Sequence, residues 1–284
     1  MTASVADLLE DATRKLRAAG IIKPKREANR LWAWQHRLNP GETWLTREQP
    51  AGEDSARRFA DAVDRRVRGE PLAYILGHTG FRRLEIGCDA RALIPRPETE
   101  GIIDLALSLV RAGTALDLGT GTGCLALALA DEGEFSVTAV DHSAPALSLA
   151  AENVAASGLA VELLQSDLFS AVQDRSFDLI VSNPPYLTDS EYAVLDSSVR
   201  SWEPQGALVG GPSGLELIHR ILAEAPGVLR PGAWLVMELD SARSASVLQI
   251  AVSNRWQQCR VERDLYGRER YLVAGWGVHS GGAG

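Results

Sequence analysis

The sequence predicts a doubly wound α/β domain of seven strands, with an antiparallel hairpin at one edge, behind a small N-terminal helical bundle. Three observations lead there. From residue 98 onward helix-like and strand-like segments alternate. The strand segments are apolar almost throughout, as in a sheet covered on both faces. The last two follow each other with no helix between them. At 284 residues the chain is large for one compact core and comfortable for two domains.

Residues 1–75 read as helical throughout. Leu8, Leu9, Leu16, Leu31, Trp32, Trp34 and Leu38 fall at helix-like spacings, and Phe59, Val63 and Val67 form an i, i+4, i+8 stripe. Asn39-Pro40-Gly41 and Gln49-Pro50-Ala51-Gly52 punctuate these segments, and the apolar stripe is expected to be the bundle's own core. Residues 76–97 read as a linker with a hairpin, built from β-like pieces at 74–77, 81–87 and 92–95. Residues 98–276 form the α/β domain. Its helices are expected at 98–111, 123–132, 144–157, 214–229 and 242–254. Its strands are expected at 114–118, 136–140, 161–165, 177–182, 233–239, 257–263 and 270–276. The tail 277–284 is expected to be disordered.

Composition narrows the function class. No apolar run approaches the ~18 residues of a membrane-spanning helix, and the opening stretch lacks the pattern of a signal peptide, so a cytoplasmic protein is expected. The three cysteines, Cys88, Cys124 and Cys259, are far apart and read as reduced thiols; the five histidines are equally scattered, and no metal is expected. Net charge is −8 and uneven. Residues 1–80 hold 14 Lys+Arg against 11 Asp+Glu, and residues 81–284 hold 15 against 26. An acidic second half argues against broad clamping of a nucleic-acid backbone, which needs many cation–phosphate contacts.

The first strand of the α/β domain runs into Leu116-Asp117-Leu118-Gly119-Thr120-Gly121-Thr122-Gly123, a glycine-rich turn where a ligand can approach the main chain. A dinucleotide fingerprint would place its third glycine one position later, where Cys124 stands, so the spacing favours the cofactor loop of a methyltransferase over a pyrophosphate cradle. Asp141 ends the next strand and is suited to accept from both ribose hydroxyls of an adenosine ligand. Asp167 and Leu168 follow the third strand, Asp167 placed to accept from an adenine amino group and Leu168 beside the ring. Each alone could be a helix cap or a turn residue. Three signals at successive strand ends point to S-adenosylmethionine.

The fourth strand ends in Asn183-Pro184-Pro185-Tyr186. Proline fixes its own φ and restricts the residue before it, so this stretch is stiff. It can aim the Asn183 side-chain carbonyl and the Pro184 backbone carbonyl at one point. Two acceptors suit an NH2 group and leave its nitrogen facing a sulfonium methyl, while Tyr186 and Pro185 wall the planar group. The motif by itself specifies a planar amine, not which one.

The run Arg65-Arg66-Val67-Arg68-Gly69-Glu70-Pro71-Leu72-Ala73-Tyr74-Ile75-Leu76-Gly77, the run Leu93-Ile94-Pro95-Arg96-Pro97-Glu98-Thr99-Glu100, the glycine loop and Ser182-Asn183-Pro184-Pro185-Tyr186 together resemble the HemK-type peptide chain release factor glutamine methyltransferases. The likeness spans nearly the whole chain, Asp264 to Arg270 included. It implies a class I, Rossmann-like S-adenosylmethionine-dependent fold and methylation of the glutamine amide in the Gly-Gly-Gln motif of class-one release factors. On that reading Asn183 and Pro184 hold the amide and the front bundle helps dock the protein substrate. A monomer is expected, with no membrane or sequence-specific nucleic-acid partner. Arg96 and Thr99 line the site in roles the sequence does not assign. Where the family commonly has glycine after the fifth-strand glutamate, this chain has Glu238-Leu239-Asp240. Two other readings remain open: an adenine-amino methyltransferase using the same motif on a flipped base, and a non-catalytic cofactor-binding partner of release factors.

Overall fold

The structure, a computed structural model, describes residues 3–277; of the tail expected to be disordered, 278–284 lies outside the described residues. The chain divides into two compact units, one of Met1–Gly77 with Asp196–Trp202, the other of His78–Leu195 with Glu203–Gly284.

The first unit is helical. Helix α1 (Val5–Ala18) starts at Ser4, whose hydroxyl accepts from the Asp7 N–H while the Asp7 carboxylate accepts from the Ser4 N–H, a reciprocal cap. Its buried face is Val5, Leu9, Ala12 and Leu16. Helix α2 (Pro24–His36) ends at Arg37 in the left-handed region, and α3 (Glu53–Val67) buries Phe59, Ala62 and Val63. Phe59 meets Trp32 edge-on at 5.3 Å between ring centres. Of the expected core residues, Trp34 and Val67 face outward, each 40% exposed, and Leu38 lies outside the core cluster. Two residues on from Trp32 is about 200° around the helix, so with Leu31 and Trp32 facing inward Trp34 must face out. The expected β-like piece at 74–77 is instead helix α4 (Leu72–Leu76), because the N–H groups of Tyr74 and Ile75 close a turn on the Pro71 carbonyl. Gly77, at φ +79°, ends it.

The second unit opens with the hairpin of β1 (His78–Phe81) and β2 (Leu84–Gly87), whose Phe81 and Ile86 are buried. The expected β-like piece at 92–95 forms no strand; the Ile94 N–H donates to the Glu203 carboxylate at 3.1 Å rather than to a neighbouring strand. Helix α5 (Glu100–Leu109) leads into β3 (Ala112–Leu118), α6 (Cys124–Glu132), β4 (Glu134–Asp141), α7 (Ala144–Ser157), β5 (Val161–Gln165) and β6 (Phe177–Ser182). The short helix α8 (Asp189–Ala193) follows; α9 (Ser197–Arg200) belongs to the first unit, and the second resumes with α10 (Glu216–Glu224), β7 (Leu229–Glu238), α11 (Ser244–Ser253), β8 (Gln257–Arg263) and β9 (Glu269–Trp276). Helix α10 stops earlier than the sequence suggests because Pro226 cannot continue it, and the strand begins at Leu229 instead.

The sheet order is β5-β4-β3-β6-β7-β9-β8; the pairs from β5 to β7 are parallel, and β9 alone runs opposite, pairing antiparallel with β7 on one side and edge strand β8 on the other. Alternate strand residues face opposite layers. Ala115, Leu179, Val181 and Val236 join the core beneath α5 and α6, and Leu116, Ile180, Leu235 and Met237 join the one beneath α10 and α11. Strand order reverses between β3 and β6, so the crevice at their C-terminal ends is where a doubly wound sheet binds its ligand. No described helix is long and apolar enough to cross a membrane.

Candidate active site

A cleft of about 540 Å³ opens at that reversal, within the range of ~300–1,000 Å³ usual for small-ligand sites. It is lined by Gly119, Thr120, Gly121, Thr122, Asp141, Asp167, Leu168, Asn183, Pro184 and Pro185 among others. The structure thus brings together ten of the twelve residues singled out in the sequence. Gly123 stands behind the wall as the N-cap of α6, and Tyr186 turns away into the core beneath α10 and α11.

The glycine loop is held from below and behind. Its Gly119 and Thr120 N–H groups both donate to the Val140 carbonyl at 2.9 Å. Gly119 has φ +73°, a conformation costly for any residue with a Cβ, and a Cβ there would meet no protein atom within 4 Å. It would project into the cleft instead, so the bare main chain leaves room for a ligand. Beneath the loop, Asp117 is fully buried; its Oδ2 accepts from the Thr120 hydroxyl at 2.6 Å and the Ala126 N–H at 3.1 Å, while Oδ1 has no partner. Burial pushes this carboxyl up to about 7. An acid inside the apolar strand Leu116-Asp117-Leu118 is a visible signal, but sequence reasoning assigned it no role. Asn153 of α7 was likewise missed; it is buried and donates to the Thr122 carbonyl at 2.8 Å.

Asp141 ends β4 with each carboxylate oxygen accepting one backbone N–H, from Ser143 and from Gly121, both at 2.9 Å. Each oxygen keeps acceptor capacity for a ligand hydroxyl. Leu168 adopts φ +47° and is held there by the Ser166 hydroxyl, which donates to the Leu168 carbonyl at 2.7 Å. The neighbouring Asp167 is exposed and paired with Arg220 at 3.1 Å. Both of these side chains line the cleft. Carboxylate, bare loop and apolar wall fit the ribose, the amino-acid end and the adenine of S-adenosylmethionine respectively.

At the end of β6 the Ser182 hydroxyl donates to the Leu118 carbonyl at 2.8 Å, pinning β6 to β3 just before Asn183. The Asn183 Nδ2 donates to the Thr99 hydroxyl at 3.1 Å, and that hydroxyl donates to the Glu238 carboxylate at 2.8 Å. Burial raises Glu238 to about 7, against the pull of Thr99, Arg270 and Tyr186, which favour its ionised form. Burial likewise pushes the Tyr186 phenol up to about 12. Beyond the motif, the Leu187 N–H donates to the Leu208 carbonyl and the Gly210 N–H to the Leu187 carbonyl, each at 2.9 Å. Arg96 at the cleft pairs with buried Glu203 at 2.5 Å. Glu203 and Glu238 both lie far from the motif in sequence; the sequence marked Glu238 only as the glutamate that ends the fifth strand, and Glu203 not at all.

Two family profiles match the chain, the PrmC N-terminal domain over residues 7–77 and the Methyltransferase small domain over residues 102–209. The release factor glutamine methyltransferase of Nitratidesulfovibrio vulgaris is 38% identical over 280 residues, covering 96% of this chain and 95% of that one. That of Cereibacter sphaeroides is 42% identical over 274 residues, covering 95% and 97%. Among solved structures, a methyltransferase from Pyrococcus furiosus superposes with a TM-score of 0.55 at 21% identity, over 70% of this chain and 92% of that one. The N-terminal domain of human METTL16, solved in complex with SAH, gives 0.54 at 17% identity, over 87% and 94%, and shares the fold. With relatives this similar along nearly its full length, the chain belongs to the release factor glutamine methyltransferase family.

Proposed function

We propose that this enzyme transfers a methyl group from S-adenosylmethionine to the side-chain amide nitrogen of the glutamine in the Gly-Gly-Gln motif of class-one release factors. The observation that carries the chemistry is the orientation of Asn183. Its Nδ2 is committed to Thr99, so its Oδ1 is left as an acceptor at the cleft. Asn183 Oδ1 and the Pro184 carbonyl each accept one N–H of the incoming amide. Holding both N–H bonds orients the nitrogen and stabilises the positive charge that grows on it, which replaces the strong base an amide would otherwise need. Gly119 to Thr122, Asp141, Asp167 and Leu168 would hold the cofactor, which supplies an electrophilic sulfonium methyl. The surplus proton passes to solvent after transfer.

The substrate reading is supported by relatives that are named for it and that match the whole chain rather than the catalytic half alone. Residues 7–77 would then dock the release factor. The acidic second half disfavours a nucleic-acid substrate. Incubating the full chain with methyl-labelled S-adenosylmethionine and a class-one release factor is expected to label the Gly-Gly-Gln glutamine, and changing that glutamine to alanine should remove the label. Asn183→Ala should cut turnover by about 100-fold or more while the cofactor still binds. Label on nucleic acid, or on another residue of the factor, refutes the reading.

A further inference from the structure

Thr99 and Glu238 are each 2% exposed and belong to segments remote from the motif they touch. Thr99 ends the turn Pro97–Thr99 before α5, and Glu238 is the last residue of β7. The turn is itself clamped, because the Tyr271 hydroxyl of β9 donates to the Glu98 carbonyl at 2.5 Å. A threonine hydroxyl has one proton, and this one is given to Glu238. Towards Asn183, therefore, Thr99 can only accept. An Asn183 amide turned over would set its oxygen against an oxygen that has no proton to offer, losing the bond and leaving two acceptors face to face.

We infer that Thr99 and Glu238 act as positioning residues, a latch that keeps the Asn183 carbonyl, and not its NH2, turned towards the substrate, so that the site selects a glutamine amide over a glutamate carboxylate. This rests on the proposed use of Asn183 as an acceptor for the amide N–H. With the latch set, both groups aimed at the acceptor position are carbonyl oxygens. A carboxylate has no proton for them and is repelled; an amide offers two. With the latch released, Asn183 can present N–H bonds instead and the discrimination weakens.

Glu238 must stay ionised for this to hold, since a protonated carboxyl could donate to Thr99 and free the threonine proton for Asn183. It is faced by Thr99 and Glu98 from the turn, Tyr186 beyond β6, and Arg270 and Tyr271 from β9. Burial dominates this balance and sets its titration near 7. The turnover of the native enzyme should accordingly fall as pH drops below about 7.

The test compares the native chain with Thr99→Val and Thr99→Ser, using a class-one release factor and labelled S-adenosylmethionine. Valine keeps the shape and removes the hydroxyl. Its kcat should fall by about 10- to 100-fold, the effect of losing one hydrogen bond to a charged or reacting group, with the cofactor Kd within about threefold. Serine should recover most of the rate. A factor carrying Gly-Gly-Glu should inhibit Thr99→Val more strongly than the native enzyme, and the acid limb of the pH profile should vanish in that variant. Native-like kcat and native-like inhibition in Thr99→Val overturn the latch, as does a serine variant no better than valine. The Asn183 side-chain amide offers a readout free of substrate: the proton donated to Thr99 should be protected from exchange in the native chain and exposed in Thr99→Val. Should the native enzyme label no release factor, the proposed function falls, and this exchange measurement alone decides the latch, equal protection in both chains refuting it.

Discussion

Asp141 uses each of its two oxygens once inside the protein, and what is left over is what a ligand can use. One oxygen ties down Gly121 and the other starts the turn into α7 through Ser143. A substitution here therefore strikes twice, at the shape of the glycine loop and at the acceptors proposed for a ribose. Asp141→Ala is expected to weaken S-adenosylmethionine binding by about 10- to 100-fold, measured by titration calorimetry, since hydrogen bonds to a carboxylate contribute roughly 1.5–3 kcal/mol. A change below about threefold would remove Asp141 from the ribose site. Asp167 sits differently. Its carboxylate is shared with Arg220 and open to solvent, so any contact it makes with an adenine amino group competes with an existing ion pair. At this scale the sequence announced residues that stand at the ends of successive strands. It placed Thr99 at the site without a role and marked Glu238 only as the glutamate ending the fifth strand; their hydrogen bond spans 139 positions, and nothing local pairs two residues so far apart.

Elements were legible where periodicity and punctuation agreed. Helix α7 runs over the span expected because Ser143 caps it, Pro145 lies in its first turn and Gly158 ends it in the left-handed region. The segment from Gly206 to Gly211 was not legible, since its glycines suppress any strand pattern. Yet it runs beside Leu187 as a short parallel bridge and backs the turn that carries Asn183 to Tyr186. Gly210 is the close approach. A Cβ there would run into the Pro185 carbonyl, a main-chain atom between two residues whose geometry proline and packing already fix. Gly210→Ala should shift Pro185 and Tyr186 outward at a cost of about 1–3 kcal/mol, lowering kcat at least about tenfold while the melting transition stays cooperative. Full activity with an unchanged melting temperature would mean that the turn tolerates displacement, and that its rigidity is not what aims Asn183.

Over the whole molecule, a few buried acids rather than the net charge shape stability against pH. Asp117 and Glu238 are both raised by burial to about 7, above their ordinary values of 3.8 and 4.5. An acid raised on folding binds its proton more tightly in the folded state, so the folded protein loses stability as pH climbs from the unfolded value through the folded one. The cost is absent near pH 4 and complete above about 7. Other carboxylates act in the opposite sense: Asp89 and Glu132 are held low by Arg91 and Arg82, and their contribution is lost only as pH falls into the acid range. The two trends place maximum stability on the mildly acidic side. The ligand-free protein should melt at a higher temperature at about pH 5.5 than at about pH 8. The underlying difference in stability is on the order of a few kcal/mol, since each tenfold change in proton affinity corresponds to ~1.4 kcal/mol. Asp117→Asn should raise the melting temperature at the higher pH and flatten part of the slope, because the amide keeps an oxygen for Thr120 and Ala126 and carries no charge into the core. Equal melting at both pH values in the native chain would mean that Asp117 is solvated when no ligand is bound. If the slope is found, the pH at which Glu238 is ionised and Asn183 is latched is also the pH at which the fold is strained. Bound ligand and substrate then have something to relieve.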